Sequence, residues 1–334
     1  MCRPAVAPSV HAAWYMSNYI LRRVLLSVPT LLAISIIIFA ILALAPGDPL
    51  SQLALNPAIP ESTRQLIRTQ FGLDDPWPVR YWKWLTSLLR GDWGFSFSSR
   101  SPVIDIVMQR VPQTLQVVGF AYLLAVVLAI PVGILAAVRQ YSWFDQLATV
   151  FSFVGFSVPS FFTGLLLMLV FAVRLKWFPI VYDSLLGFGS GAEVLAQLRQ
   201  MAMPVTVLVV QQTAALTRFT RSAMLDNLGQ NYVRTARAKG LPYRRVVLRH
   251  VFSNSLIPIV TLVALSIPTI FGGAIITENL FRVNGLGALL ITSINNSDTP
   301  VVMALSFVFA VLMVFSNLVA DVMYGVLDPR VRYD

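Results

Sequence analysis

Long apolar runs alternate with shorter polar segments along most of the chain, as is typical of helical membrane proteins. A helix needs about 20 mostly apolar residues to cross a bilayer. Six runs approach or reach that length, at residues 24–45, 111–138, 147–173, 203–216, 256–276 and 301–322. The sequence therefore predicts an all-α, polytopic membrane protein with six transmembrane helices.

Prolines mark where these runs end or bend. The first run stops at Pro46-Gly47-Asp48-Pro49, residues that end a helix. Pro131 and Pro159 lie inside the second and third runs. Membrane helices tolerate proline where neighbouring helices satisfy the freed carbonyl groups. Kinks are therefore predicted at both positions.

The first run is also too long to be a cleaved signal sequence. Its apolar part exceeds the roughly 7 to 15 residues of a signal-peptide core, so it is predicted to be an anchor. The expected divisions are a disordered cytoplasmic tail with its start at Met1 or Met16 (1–19), a first transmembrane helix (20–45), an extracytoplasmic helical insertion (46–110), a core of five helices (111–325) and a cytoplasmic C-terminal tail (326–334).

Composition excludes a water-soluble protein. The 334 residues are 57% hydrophobic and 12% charged, with a mean hydropathy of +0.72, whereas soluble domains have about 25% charged residues. The formal net charge of +10 suits nucleic acid or an anionic membrane face. Because apolar residues are in such excess, the membrane is the predicted partner and nucleic acid is not.

Basic residues near the helix ends set the orientation, since cytoplasmic loops are enriched in Lys and Arg. Arg22 and Arg23 precede the first run without a nearby acid. Eight basic residues occur between Arg218 and Arg249, opposed only by Asp226. Both termini are therefore predicted to be cytoplasmic, and the localisation is a bacterial or archaeal cytoplasmic membrane.

The predicted insertion contains an aromatic stripe within residues 79–90, which includes Tyr81, Trp82 and Trp84. Trp and Tyr are typical of the membrane–water interface. One interpretation is an interfacial helix that seals the bundle. The other is a rim that meets a delivery protein or shapes the outer mouth.

The inner segment at 231–250 reads as helix, Gly-Pro turn, helix. Gly240 suits a positive-φ cap, and Pro242 suits the first turn of the second helix. Helical spacing places Tyr232, Ala236 and Lys239 on one face, flanked by charge. The full candidate set is Asn231, Tyr232, Arg234, Thr235, Ala236, Arg237, Ala238, Lys239 and Gly240. Membrane orientation alone also explains the positive charge.

Polar residues inside the spans are the other candidates, because polar groups in hydrocarbon usually face a cavity or one another. The pathway candidates are Gln211, Gln212, Thr213, Thr217, Asn254, Thr269 and Glu278. The first four suit either pathway lining or helix packing. Glu278 suits a substrate amino group, although an ordinary loop charge is the favoured interpretation. Asn317 and Asp321, four residues apart, are predicted to be a structural interhelical polar pair.

The sequence offers little chemistry of its own. No lysine lies in a phosphate-binding Gly-Lys-Ser/Thr context, and there is no HExxH motif. Cys2 is the single cysteine, so no cysteine-built metal site is expected. The chain is therefore predicted to be non-catalytic, to hold no metal or cofactor, and to draw its energy from elsewhere.

In order along the chain, these motifs resemble the permease subunits of binding-protein-dependent ABC importers, in the dipeptide and oligopeptide branch. The resemblance covers nearly everything after Met16. The motifs are Arg22-Arg23-Val24, Ala45-Pro46-Gly47-Asp48-Pro49, Phe71-Gly72-Leu73-Asp74, Leu89-Arg90-Gly91-Asp92-Trp93-Gly94, Pro112-Gln113-Thr114-Leu115, Phe156-Ser157-Val158-Pro159-Ser160-Phe161-Phe162, Arg249-His250 with Asn254 and Pro258, Asn317 with Asp321, and Leu327-Asp328-Pro329-Arg330.

The resemblance implies the type I importer permease fold. It also implies a second homologous permease, two ABC ATPases that bind ATP and Mg²⁺, and an extracytoplasmic solute-binding protein. Residues 231–239 would be the coupling helix in a groove of an ATPase. Two departures stand out. Arg234-Thr235-Ala236 replaces the Glu-Ala-Ala of the general importer loop, and Val283-Asn284-Gly285-Leu286-Gly287 replaces Trp-Pro-Gly-Leu-Gly.

The expected function is ATP-driven import of short peptides, and alternatives stay open. Within the family, nickel and glutathione importers share these motifs. Outside it, a passive channel or a membrane scaffold would explain six spans but would not require the 231–250 segment.

Overall fold

The computed structural model describes residues 10–44, 62, 65, 68–69, 74–187 and 189–327, with side chains described between residues 20 and 323 of these. The predicted stop at Pro46-Gly47-Asp48-Pro49, the motif residues 71–73, residues 1–9 and the tail at 328–334 lie outside the described residues. Apart from an isolated antiparallel bridge between Phe95 and Pro102, the regular structure of the described residues is helical.

The helices of the first half are α1 (Val10–Leu44), α2 (Trp77–Leu89), α3 (Val103–Thr114), α4 (Phe120–Val138), α5 (Trp143–Ser157) and α6 (Ser160–Leu167). Two π-helical segments extend this set. Leu115–Gly119 joins α3 to α4, and Met168–Arg174 continues α6.

The second half contains α7 (Gly191–Leu228), α8 (Asn231–Ala238), α9 (Phe252–Phe281), α10 (Leu286–Asn295) and α11 (Thr299–Leu327). A single turn, Tyr243–Arg245, and a π-helical segment, Val246–Val251, lead into α9.

Five helical stretches of the described chain are long and apolar enough to cross a membrane. They are Ile20–Leu44, Val103–Val138, Gly191–Leu228, Tyr243–Phe281 and Thr299–Met323. The prediction of an all-α, polytopic membrane protein is confirmed.

The third predicted span is broken rather than kinked, which corrects the expectation at Pro159. The helices Trp143–Ser157 and Ser160–Arg174 meet at 103°. Val158 is extended, with φ −85° and ψ 124°, because a residue that precedes proline is pushed out of the helical region. Pro131, by contrast, lies inside an unbroken α4.

The broken pair nevertheless crosses from one end of α7 to the other. Asp145 at the start of α5 contacts Arg221 of α7, and the carbonyl of Trp177 after α6 accepts from Arg199 of α7 at 2.6 Å. These two α7 residues are roughly 33 Å apart at 1.5 Å per residue, about the thickness of the hydrocarbon core. Counted as one span, the pair raises the described total to six.

The first helix begins before the predicted first span. Helix α1 starts at Val10, so residues 10–19 are helical where the sequence analysis expects a disordered tail. No proline or glycine occurs between residues 10 and 28, and extending an existing helix is much easier than nucleating one. The anchor therefore extends beyond its apolar part.

Helix α2 of the insertion packs on the bundle through one face. Leu85 and Leu88 are buried, and the Tyr81 hydroxyl lies 2.9 Å from Ser35 Oγ of α1. Trp77 and Trp82 of the same helix are exposed. An exposed aromatic face suits both interpretations of the insertion, the interfacial helix and the rim.

The centre of the bundle is the contact of α4 with α7. Buried small residues recur every four positions along α4, at Ala121, Ala125, Ala129, Gly133 and Ala137. Small residues let membrane helices approach closely. A Cβ on Gly133 would lie 2.6 Å from Thr220 Cβ. The backbone of α4 at Gly133 therefore lies directly against the Thr220 side chain of α7. Helix α7 also contacts α5 and α9, whereas α11 packs on α9 and α1 packs on α11.

The polar contacts collect at the two ends of this bundle. One end, called here the elbow end, holds the segment 229–251 and the ion pairs Asp145–Arg221 and Arg23–Asp321. The other, the opposite end, holds buried Glu278, Asp298 and Gln197.

Candidate functional site

The segment 229–251, called the elbow below, is a short helix closed by a tight turn. Gly240 has φ +76°, as its predicted capping role requires. Its N–H donates to the carbonyl of Arg237 at 3.0 Å, and the N–H of Leu241 donates to the carbonyl of Ala236 at 3.3 Å. These bonds form a Schellman cap, which satisfies the last carbonyls of α8. Pro242 is the N-cap of the next turn, one position earlier than predicted.

The elbow is fixed to the ends of three spans by an apolar cluster. Its buried members are Ala137, Met224, Val233, Ala236, Val246, Val247 and Val251. A hydrogen bond from Ser255 Oγ to the carbonyl of Ala223, at 3.0 Å, ties α9 to α7 at the same level. The elbow is therefore a rigid part of the bundle.

Two of the three residues on the predicted face of α8, Tyr232 and Ala236, pack against the bundle instead of facing outward. Ala236 is 8% exposed and belongs to the apolar cluster, and the Tyr232 hydroxyl donates to Asn227 Oδ1 at 3.0 Å. Helical spacing alone cannot say which side of a short helix faces inward. The outward side, called here the docking face, consists of Asn231, Arg234, Thr235 and Ala238, all of them exposed.

The remaining candidates of the elbow border this docking face. Arg237, Lys239 and Gly240 are exposed, and the Arg237 guanidinium lies 5.8 Å from the centroid of the Tyr243 ring. The face thus combines small and polar residues with the charge of Arg234, and further positive charge from Arg237 and Lys239 lies at its rim. Such a surface suits an acidic groove of a partner protein.

Gly240→Ala tests the elbow's turn. A non-glycine residue in the left-handed region costs about 1 kcal/mol, so we expect the variant to unfold at a slightly lower temperature and α8 to become more sensitive to protease. Gly229→Ala is the matched control, because Gly229 has φ −77° and nothing within 4 Å of the position of a Cβ. Equal behaviour of the two variants would contradict the assigned cap.

Beside the elbow, a buried ion pair joins α5 to α7. Arg221 Nε donates to Asp145 Oδ1 at 2.5 Å, and Arg221 Nη2 donates to Asp145 Oδ2 at 2.8 Å. The same carboxylate accepts the Tyr141 N–H at 2.9 Å, and Ser142 caps α5 by accepting the Asp145 N–H at 3.3 Å. Asp145 is 3% exposed.

The second ion pair at the elbow end includes Asp321, which the sequence analysis predicts to be part of an interhelical polar pair. Asp321 Oδ2 lies 2.9 Å from Arg23 Nη1 of α1, and both side chains are partly exposed. Asn317 and Asp321 do line one cavity with Arg23. Asp321 thus makes the expected interhelical contact, with a cation of α1 as its partner.

The predicted pathway candidates differ in burial and position. Thr213 and Thr217 are buried between helices. Asn254 and Thr269 are exposed on α9, and each side chain donates within its own helix, to the carbonyls of His250 and Ser266. Gln211 and Gln212 are half-buried. The structure therefore does not bring the seven candidates together in one place.

Glu278 is neither exposed nor part of a loop, which corrects both interpretations of this residue. Helix α9 continues to Phe281, and Glu278 is 1% exposed. Its carboxylate accepts the Thr114 hydroxyl at 2.8 Å and the N–H groups of Gly287 and Ala288 at 2.8 and 3.2 Å. A carboxylate at the start of α10 complements the helix dipole and the unpaired N–H groups.

The two glycines after Glu278 leave room for this arrangement. A Cβ on Gly285 would lie 2.2 Å from Glu278 Oε1, and a Cβ on Gly287 would lie 2.5 Å from Ile275 Cα. The turn that replaces the expected Trp-Pro-Gly-Leu-Gly is thus fixed by a buried carboxylate instead of a proline.

A second buried carboxylate fixes the other end of α10. Asp298 is fully buried and accepts the N–H groups of Phe97 and Ser98, each at 3.1 Å. It also accepts the hydroxyls of Ser96 and, at 2.8 Å, Ser98. The insertion and α10 are therefore held together as one unit at the opposite end.

An amide cluster completes the opposite end. Gln197 Nε2 donates to the Tyr182 hydroxyl at 2.5 Å, and Gln200 Nε2 donates to Gln197 Oε1 at 2.6 Å. Gln200 also exchanges two hydrogen bonds with the backbone of Asp183, at 2.8 and 3.0 Å. Burial raises the pKa of Tyr182, so this hydroxyl stays neutral at physiological pH.

Sequence reasoning missed Asp145, Asp298 and Gln197. The signal for Asp145 was present, because Ser142 three residues before an acid is a helix-start signature. Among the described residues, no group of three or more His, Cys, Asp or Glu side chains is placed to hold a metal ion.

Comparison with known families gives two matches that together span most of the chain. Residues 129–333 match the binding-protein-dependent transport system inner membrane component family. Residues 16–118 match the N-terminal region of binding-protein-dependent transport system membrane components.

Individual relatives match over nearly their whole length. The oligopeptide transport system permease protein AppB of Bacillus subtilis is 40% identical over 319 residues, which are 95% of this chain and 100% of the relative. A putative peptide permease protein of Brucella suis is 37% identical, over 95% and 99%. The glutathione transport system permease protein GsiC of Salmonella typhimurium is 37% identical, over 95% and 100%.

Proposed function

The chain belongs to the family of binding-protein-dependent transport system inner membrane components, and on that premise we propose that it is one permease half of an ATP-driven importer of short peptides. The observation that carries the proposal is the rigid elbow with its polar docking face and basic rim. Two similar proteins, an oligopeptide permease and a putative peptide permease, support the substrate class.

The elbow is the part on which a motor acts. The chain has no phosphate-binding motif of its own, so ATP and Mg²⁺ are bound by two partner ATPases beneath the permeases. The docking face sits in a groove of one ATPase. Because the elbow is packed onto the ends of α4, α7 and α9, closure of the ATPases tilts these helices as a unit.

The orientation follows from the same assignment. The elbow end is cytoplasmic, as its excess of Arg and Lys favours, and both termini lie on that side. The opposite end, with the insertion held by Asp298, faces a solute-binding protein.

The pathway runs between this chain and a second, homologous permease. Asn254, Leu265, Thr269 and Ile276 lie on one exposed face of α9, and this face, with half-buried Gln211 and Gln212, lines the pathway. Neutral amide and hydroxyl groups suit peptides of varied sequence, because a charged site would bind one substrate too tightly to release it.

Glutathione is the second candidate substrate, since the chain is 37% identical to a glutathione permease. Uptake by cells that lack the chain, with and without a plasmid copy, decides between the substrates. Labelled dipeptide, longer peptide, glutathione and nickel are compared in a host without redundant importers. We expect the copy to restore peptide uptake. Restoration of glutathione or nickel uptake without peptide uptake would overturn the peptide assignment.

A further inference from the structure

The Asp145–Arg221 ion pair is unusual in its burial and in the elements that it joins. Of the two interhelical ion pairs at the elbow end among the described residues, both side chains of Arg23–Asp321 are partly exposed, at 43% and 33%, whereas Asp145 is 4% and Arg221 26% exposed. Two parallel hydrogen bonds fix the orientation of the guanidinium relative to the carboxylate. The pair therefore constrains both distance and angle between α5 and α7.

The elbow packs directly on the ends of three spans, and α5 is not one of them. The apolar cluster around it contains residues of α4, α7 and the segment leading into α9. Within the described residues, α5 contributes no member to that cluster. Movement of the elbow is thus passed to α4, α7 and α9 by direct packing, and to α5 indirectly, through α7 and through the short connection from α4.

The contact of α5 with α7 is incompletely packed next to the ion pair. A cavity of about 190 Å³ lies there, lined by Ala148, Thr149, Ser152, Phe153, Thr217, Arg218 and Arg221. Atoms that border a cavity have few partners across it. At this level the ion pair, rather than close packing, holds the two helices together.

We infer that Asp145 and Arg221 are positioning residues that transmit movement of the elbow to α5 and thereby to the break at Pro159. The inference rests on the proposed function, in which an ATPase moves the elbow. Separating the pair would leave the buried Asp145 carboxylate without its counter-charge, which is unfavourable. The pair therefore stays closed while α7 tilts. Helix α5 follows α7, and the 103° break acts as the hinge.

The test uses the assembled transporter in lipid nanodiscs, with Cys2→Ser and spin labels at introduced cysteines. One label is at exposed Arg244 in the elbow, one at exposed Val150 on α5, and a reference label is at exposed Trp82 on α2. Distances to the reference are measured without nucleotide and after trapping with ADP and vanadate. Peptide uptake per ATP hydrolysed is measured in liposomes.

The informative variant is Asp145→Asn with Arg221→Gln, which removes both charges and nearly preserves shape. We expect the elbow label to shift as in the unsubstituted transporter, the α5 label to lose most of its shift, and uptake per ATP to fall about tenfold. The matched control is Arg23→Gln with Asp321→Asn, which removes the other pair and should leave both shifts and the uptake ratio unchanged.

Each result decides the inference. An unchanged α5 shift and uptake ratio in the charge-free variant would overturn it while leaving the proposed function intact. No elbow shift in the unsubstituted transporter would instead overturn the proposed function, and the inference with it. If the double variant fails to assemble, Arg221→Lys decides, because lysine keeps the charge but not the two parallel bonds. We then expect a partial loss of the α5 shift, and its full retention would overturn the inference.

Discussion

Ala238→Trp is expected to abolish ATP-driven peptide uptake while the chain stays folded and inserted. Ala238 is exposed on the docking face and is the last residue of α8. An indole there would hold the groove of the ATPase away from the elbow, since tight interfaces pack as densely as protein interiors. Uptake should fall at least about 100-fold, and the ATPases should no longer co-purify with the permeases.

Two other tryptophan variants serve as controls for this result. Leu248→Trp places the same side chain at another exposed position of the elbow, outside the docking face, and should retain uptake. Ala236→Trp places it inside the apolar cluster, where overpacking is destabilising, so this variant should be poorly folded. Normal uptake by Ala238→Trp with its ATPases bound would show that the docking face is elsewhere.

Gly287→Ala and Gly285→Ala are expected to be the most destabilising alanine substitutions at the opposite end. A Cβ at 287 meets the backbone of Ile275, and a Cβ at 285 meets the Glu278 carboxylate. Each should lower the free energy of unfolding by about 3 kcal/mol. Unfolding of the purified chain in mixed micelles by titration with sodium dodecyl sulfate measures the loss.

Glu278→Ala separates the two clashes. Once the carboxylate is removed, Gly285→Ala should cost little more, because its clash is with that side chain and its φ of −97° suits alanine. Gly287→Ala should remain costly in the same background, because its clash is with backbone. Additive losses for Glu278→Ala and Gly285→Ala would contradict the assigned contact, since residues in contact couple.

The sequence predicts the spans well because the bilayer is a simple solvent. A helix that crosses hydrocarbon must satisfy its own backbone and present apolar side chains, so runs such as 301–322 are visible from composition alone. The Gly240 turn is visible for a similar reason, since a positive φ strongly favours glycine. Both features depend on local chemistry.

Features that depend on which residues meet across the bundle could not be predicted. Glu278 is bonded to Thr114, 164 positions away, and Asp298 to the loop at 96–98, about 200 positions away. Nothing local distinguishes a buried, bonded carboxylate from an exposed one. The direction of α8 was missed for the same reason, because Ala236 and Ala238 are identical residues separated by half a turn.

The central claim is that the docking face of the elbow is cytoplasmic and is covered by a separate motor protein. Ala238→Cys in a Cys2→Ser background tests this directly with a membrane-impermeant maleimide. We expect no labelling in intact cells, rapid labelling in inside-out vesicles stripped of ATPases, and protection when the ATPases are restored. Labelling in intact cells would contradict the account, and so would a labelling rate that does not fall when the ATPases are restored.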